Sequence, residues 1–410
     1  MKTITILNSM KSRCFMLVAC VTLLWGASAC SSEEFGMEVP EVKKEWTKQE
    51  LIEQALSRMP QTRSAKHPAQ MITIKDTVSI KCNASEEMTI NWEEKVGGEV
   101  QTTIVSPNND TVYTHIYTDG KPLHFISITG SMEAYLDLNV DNNKLIFLEV
   151  NAPYVRYLYC QNNHLDSLDL TGARVLRTLF ADNNELSSLD VSASHILMDL
   201  RASYNRLKEI KLPKNGIEFY TLILTGNRLK EIDLTGNKVL YFLLLEDNLI
   251  TDLDLRGNPY LTDIFLNNLP LKSFNGAPVG EGDFSMYKGL ASISLANTPF
   301  TSLDLSKNPS VSIIDISETS ITNLDITNLN NLIMLYASYS ELTDLEYTSN
   351  NLSKLLDLRI ERTPLENDDQ KIWDLITSLK DRQGNPSLTL STYSFVINNL
   401  ALPNNWIINP

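Results

Sequence analysis

From Leu138 to Leu358 a short pattern returns every 20 to 23 residues, with a single interval of 29. Its centre is a leucine or isoleucine, at 138, 158, 179, 200, 222, 243, 264, 293, 314, 335 and 358. Stretches such as "YLYCQNNHL", "TLFADNNEL", "LILTGNRL" and "LLLEDNLI" show it plainly. A unit this short cannot enclose a core of its own. Stacked units can share one, each touching only its neighbours. More than half of the chain is therefore committed to an elongated stack.

The unit fits L-x-x-L-x-L-x-x-N-x-L, and with its period it resembles the leucine-rich repeat over residues 138–365. The alternating "LDLT" and "LDVS" halves resemble the repeat of Bacteroidota surface proteins. The resemblance implies an α/β-type leucine-rich-repeat solenoid, mostly strand and loop, with parallel strands lining a concave face. It implies about eleven repeats over residues 136–365. It does not name a ligand, because a scaffold does not carry its function.

Column by column, the repeat assigns roles. Leu158, Leu165, Leu168 and Leu170 are inward rungs of one turn. Cys160 fills a slot that elsewhere holds Val140, Ala181, Ala202, Leu224 and Ile316. It reads as a core residue, although His164 stands four residues on, and no basic neighbour is evident to activate the thiol. Asn143, Asn163, Asn184, Asn205, Asn227 and Asn248 form a second column, a structural ladder that satisfies backbone groups where the chain leaves the strand. Leu269 interrupts it, and Thr298, Thr319, Ser340 and Thr363 follow. A hydroxyl reaches less far, so a change of turn geometry is expected across residues 264–292. The long interval carries "FNGAPVGEGDFSMYKGL", whose Gly and Pro content suggests a mobile surface loop. Aspartates 169, 190, 233, 254, 304 and 325 make a third column, read as bonding to nearby backbone N–H groups. Calcium needs six to eight oxygens, which one carboxylate per turn does not supply.

Strand residues that alternate with the inward rungs face the concave side. They include Tyr157, Tyr159, Phe180, Arg201, Ile223, Phe242, Leu244 and Phe265, a broad aromatic and aliphatic patch. Contiguous exposed apolar surface marks interaction sites, and aromatic residues with arginine are favoured anchors. The plain alternatives are cover by neighbouring side chains, by the preceding domain, or by another copy. The expected partner is a protein. A glycan stacked on Tyr157, Tyr159 and Phe180 is the alternative, with Asp182, Asn183 and Asp199 as hydroxyl partners.

Outside the repeats the chain changes character. "MKSRCFMLVACVTLLWGASAC" pairs Lys11 and Arg13 with an apolar run and small residues, the pattern of a secretory signal over residues 1–29, with Met10 as an alternative start. Its Ala-Ser-Ala-Cys end resembles a bacterial lipobox and implies lipidation of Cys30, although Ala replaces the usual Leu. "LVAC" at Cys20 is the closer local match but leaves too short an apolar run. "SSEE" after Cys30 resembles the surface-export signal of Bacteroidota lipoproteins, or is a solvated linker. The lipidated linker covers 30–46. "TKQELIEQALSRM" then carries a capping box, Thr47 with Glu50, and predicts a helix over 47–60. Residues 69–130 alternate with period two between turn signals, which predicts a small all-β sandwich. Trp92, His115, Tyr117, Gly120 and Gly130 give it a resemblance to the polycystic-kidney-disease type of immunoglobulin-like module, a spacer. Glu93 and Glu94 stand where that family often has Gly-Asp-Gly. Residues 366–410 hold a helical stripe, Ile372, Leu375, Ile376 and Leu379, capped at Asn367, then a strand and an apolar tail. They read as the C-terminal cap of the stack.

The formal net charge of −15 argues against nucleic acid, which calls for a basic face. No phosphate loop, HExxH, G-x-S-x-G or Cys-x-x-Cys occurs, so no enzyme, metal or cofactor is expected. The sequence therefore predicts a lipid-anchored protein of the outer membrane or cell surface of a Gram-negative bacterium. It would serve adhesion or recognition and touch the membrane through its anchor alone.

Overall fold

A computed structural model describes residues 67–96, 99–214, 216–348, 350–380, 388–392 and 406–409. The expected signal, lipidated linker and first helix lie outside these residues.

The first described strands are antiparallel. They are β1 (Ala69–Thr73), β2 (Thr77–Ala84), β3 (Met88–Val96), β4 (Glu99–Val105), β5 (Thr111–Ile116), β6 (His124–Gly130), β7 (Leu136–Asn139) and β8 (Leu145–Val150). One sheet has the order β4-β3-β6-β1-β8, and another begins β5-β2-β7. Alternation sorts side chains between core and surface: in β2, Val78, Ile80, Cys82 and Ala84 are buried, and the residues between them are not. Trp92 is buried, donates from Nε1 to Thr103 Oγ1 at 2.9 Å, and accepts at its carbonyl from the Tyr117 hydroxyl at 2.8 Å. β3 bulges after Asn91, and Glu93 takes a left-handed φ of 55° there. Glu94 then turns inward and accepts from Thr118 N, Thr118 Oγ1 and the His115 ring. Those bonds, led by the Thr118 backbone, hold its carboxyl below the usual range despite burial.

The repeats form a mostly-β solenoid of about eleven turns. β7 pairs antiparallel with β2 on one side and parallel with β9 (Val155–Tyr159) on the other. β8, inside the first repeat, pairs with β1. β5 and β2 therefore share one fifteen-stranded sheet with the solenoid strands, while β8 joins the first repeat to the separate five-stranded sheet. Beyond β9 the strands are three residues long: 178–180, 199–201, 221–223, 242–244, 263–265, 292–294, 313–315, 334–336 and 357–359, all parallel and in register. Each places its central Leu or Ile inward, and every one from Leu158 to Leu358 is fully buried.

Each turn leaves its strand through one left-handed residue: Asn142, Asn162, Asn183, Tyr204, Gly226, Asp247, Asn268, Asn297, Glu318, Tyr339 and Arg362. Asparagine tolerates this conformation better than most residues, but the column runs on through Tyr, Glu and Arg. The turn therefore does not change across residues 264–292, contrary to the sequence expectation. What changes there is the side-chain bonding of the next residue. Asn184 is representative of the first half: Oδ1 accepts from Leu165 N at 3.0 Å, and Nδ2 donates to Cys160 O at 2.9 Å and Ala181 O at 3.1 Å. Asn163, Asn205, Asn227 and Asn248 repeat this bridge to the preceding turn. Asn143 has no preceding turn and bonds both backbone groups of Ser79 in β2. Thr298, Thr319, Ser340 and Thr363 instead donate to the carbonyl three residues back in their own turn.

A further set of buried asparagines lies elsewhere in four of the turns. Asn237, Asn258, Asn308 and Asn351 donate from Nδ2 to carbonyls one turn back. The sequence reading passed over it, although "TGN", "RGN" and "SKN" mark it.

Two expectations need correction. The stretch after residue 274 is no mobile loop. Ser273–Phe274 pairs with Ala277–Pro278, and Glu281–Asp283 pairs in parallel with Ser302–Asp304. Phe284 and Tyr287 are fully buried and pack with Phe274 and Phe300, so four rings fill the widened turn. At the other end the helix spans Asp369–Lys380, with Ile372, Leu375, Ile376 and Leu379 buried. Asp368, not Asn367, accepts from Lys371 N at 3.1 Å, because Pro364–Asn367 is already a 3-10 turn capped by Thr363.

Candidate functional site

The concave sheet presents three outward residues per turn: one before the central rung, one after it and one three after it. Parallel strands lie about 4.8 Å apart, so side chains in a column shield one another. Tyr157, Tyr159, Phe180, Arg201, Ile223 and Phe242 are half-buried in this way, while Leu244 and Phe265 are only 8% and 5% exposed. The Tyr159 and Phe180 rings meet edge to face at 5.2 Å. The Arg201 guanidinium lies over Phe180, 4.3 Å from the ring centre. The second concave arginine, Arg359, lies 4.5 Å over Tyr336 and 3.0 Å from Asp357 Oδ2. Both occur in Asp-Leu-Arg strands that follow an aromatic strand. Arg156 at the margin binds Asp137 through two nitrogens, at 2.9 and 2.7 Å.

The middle of the face holds carboxylates that sequence reasoning did not single out. Glu246 accepts from Asn267 Nδ2 at 2.7 Å and Thr225 Oγ1 at 3.3 Å. Ser294 Oγ joins Asn267 Oδ1 to Asp315 Oδ2, at 2.7 and 3.1 Å. The result is one polar chain across five turns, from Thr225 to Asp315. Burial, and then the Asp247 charge, push the Glu246 carboxyl up to about 7. Burial likewise raises Asp182, Asp263 and Asp315, against their hydrogen bonds. The signal was present as Asp, Glu, Asn, Ser or Thr three residues after most central rungs, but that column bears no leucine and attracts no notice.

The remaining candidates are structural. Cys82 and Cys160 are free and buried; burial pushes the Cys82 thiol up to about 12 and Cys160 higher still, which leaves neither a nucleophile at neutral pH. His164 pairs with Glu185 at 3.4 Å on the rim. Asp169, Asp190, Asp233, Asp254, Asp304 and Asp325 each accept from the backbone N–H two residues on. Among the described residues no group of three or more His, Cys, Asp or Glu is arranged to hold a metal.

No protein-family model matches the chain, and no curated protein matches it. The solved structures similar to it are leucine-rich-repeat proteins. The functional domain of InlJ from Listeria monocytogenes matches 62% of this chain and 64% of its own, at 24% identity and a TM-score of 0.44. The chain thus spans just under two thirds of that domain. A leucine-rich-repeat protein of Leptospira interrogans matches 58% of this chain and 82% of its own, at 19% identity and a TM-score of 0.37. YopM from Yersinia enterocolitica matches 55% and 60%, at 18% identity and a TM-score of 0.37.

Proposed function

We propose that this chain is a recognition protein, not an enzyme, whose concave face binds a protein partner in adhesion. The observation that carries the reading is the column of half-buried aromatic and aliphatic side chains on the concave strands, Tyr157, Tyr159, Phe180, Ile223 and Phe242. A preformed sheet loses little conformational freedom on binding, so such anchors convert into affinity efficiently. A glycan fits less well, because Arg201 already covers a face of Phe180 and Arg156 approaches Tyr157.

Residues 69–130 serve in this proposal as the immunoglobulin-like spacer, with Glu93 taking the left-handed position that glycine would favour. Cys30 carries the lipid that tethers the protein to the outer membrane or cell surface.

Adhesion of cells expressing full-length protein tests the face. Tyr159→Ser combined with Phe242→Ser should reduce adhesion at least tenfold with an unchanged far-UV spectrum. Wild-type adhesion by a folded double variant would refute the reading. Cys30→Ala should abolish metabolic labelling with palmitate; persistent labelling would defeat that anchor.

A further inference from the structure

We propose that the partner meets the concave face with a basic protein segment, rich in arginine and lysine. The inference rests on the concave-face reading above and adds the chemistry of the partner. At the three outward positions of the turns from Asp137 to Glu361, nine residues are Asp or Glu, two are Arg and none is Lys. Both arginines are engaged within the face itself, Arg201 over Phe180 and Arg359 between Tyr336 and Asp357. These two places show what the surface does with a guanidinium: a ring takes one side, and a carboxylate stands two residues away on the same strand.

Between them the rings and carboxylates recur without a cation. Phe242 stands in register beside Asp263, and Glu246 follows on the Phe242 strand. Phe265 occupies the position that an Asp-Leu-Arg strand would give to arginine. Neutral groups donate to the half-buried carboxylates Asp141, Asp182 and Glu246: the Gln161 backbone and side chain, the Ser203 backbone, Asn267 and Thr225. Partly desolvated carboxylates held by neutral donors gain most from an incoming cation, which restores the interaction lost with water. Burial raises each of these carboxyls, in keeping with that deficit.

Length separates a protein segment from a small cation. The half-buried Asp141 and Glu246 belong to turns five strand steps apart, about 24 Å at the parallel-strand spacing. A diamine or an amino acid cannot span them. A polypeptide with several basic side chains can, and its apolar positions can rest on Ile223 and Phe242.

Fluorescence anisotropy of labelled nona-arginine, with full-length protein in neutral detergent, tests the proposal, and nona-glutamate serves as the control peptide. Nona-arginine should bind and nona-glutamate should not. Asp182→Asn with Glu246→Gln should weaken nona-arginine at least tenfold. Asp304→Asn with Asp325→Asn makes the same charge change at exposed sites off the concave face, and should stay within twofold of wild type. Equal losses in the two pairs, or no binding by the wild type, would overturn the proposal. The Asn and Gln side chains keep the oxygens that accept from Ser203 N and Asn267, so the Asp182/Glu246 protein should melt at or above the wild-type temperature. Cell adhesion distinguishes the two readings. If the Tyr159/Phe242 variant loses adhesion and the Asp182/Glu246 variant keeps it, the face binds a partner that is not basic. If neither variant loses adhesion, the face itself is wrong.

Discussion

The two halves of the solenoid solve one problem with different side chains. From Asn163 to Asn248 each turn is closed by an amide that also reaches the turn before it. From Thr298 to Thr363 each is closed by a hydroxyl that bonds only its own turn. The backbone is the same in both, down to the left-handed residue that precedes the closing side chain. The difference shows that turn shape and coupling between turns are separable. The stacked core and the strand ladder fix the shape. The amide column adds a tie between neighbours, and Leu269 marks where that column ends, while Asn308 and Asn351 of the other asparagine set still bond one turn back.

The comparison breaks first if the ladder residues prove equivalent. Asn184→Ala leaves Leu165 N without its partner and removes one of the two amide donors at Cys160 O and at Ala181 O, which keep Asn163 and Asn205. At about 1–3 kcal/mol for an unsatisfied buried group, the loss should be about 3 kcal/mol in urea unfolding. Thr319→Val removes one bond to Ile316 O, 2.6 Å long, and should lose only about 1 kcal/mol. Equal losses would mean that the inter-turn tie contributes nothing.

The next effect concerns pH. Glu246 carries a folded pKa of about 7 against an ordinary 4.5. The unfolded chain therefore releases this proton first. Stability contributed by the protonated group is present below pH 4.5 and falls as pH rises toward 7, by at most about 3 kcal/mol. Glu246→Gln should flatten that part of the stability profile and raise the melting temperature above pH 7. An unaltered profile would show that the carboxyl is not desolvated as the geometry places it.

A somewhat smaller loss is expected at Gly226. Its φ is +71°, and an added Cβ would stand 2.7 Å from the Tyr204 ring. Gly226→Ala should cost about 2 kcal/mol, and adding Tyr204→Ala should recover part of it. The smallest effect sharpens the comparison directly. In native-state hydrogen exchange, amides of turns 158–248 should open together, whereas turns 293–358 should open over a wider spread of free energies.

Much of the stack was legible because a period fixes the inward rungs whatever the intervening chemistry. Leu158, Cys160 and Leu165 are core residues for that reason alone. The left-handed column escaped notice because Tyr204, Glu318, Tyr339 and Arg362 share only a backbone angle. The insertion misled because glycine and proline signal loops, whereas Phe284 and Tyr287 decide that it packs. At the candidate site, which residues face outward followed from alternation. How far they emerge did not, since exposure depends on the neighbouring strand: Phe242 is half-buried while Leu244, two residues on, is covered. The polar chain from Glu246 to Asp315 joins residues that are far apart in sequence and meet through strand register alone.

The strand pairs β2–β7 and β1–β8 have a mechanical consequence. The first repeat is stitched into two sheets at once through antiparallel pairs, at Lys81–Ala84 and at Ala69–Thr73. Under the proposed binding role, a pull on a partner would be shared between two separate zippers, and the grip of the concave face would last as long as the slower of the two holds.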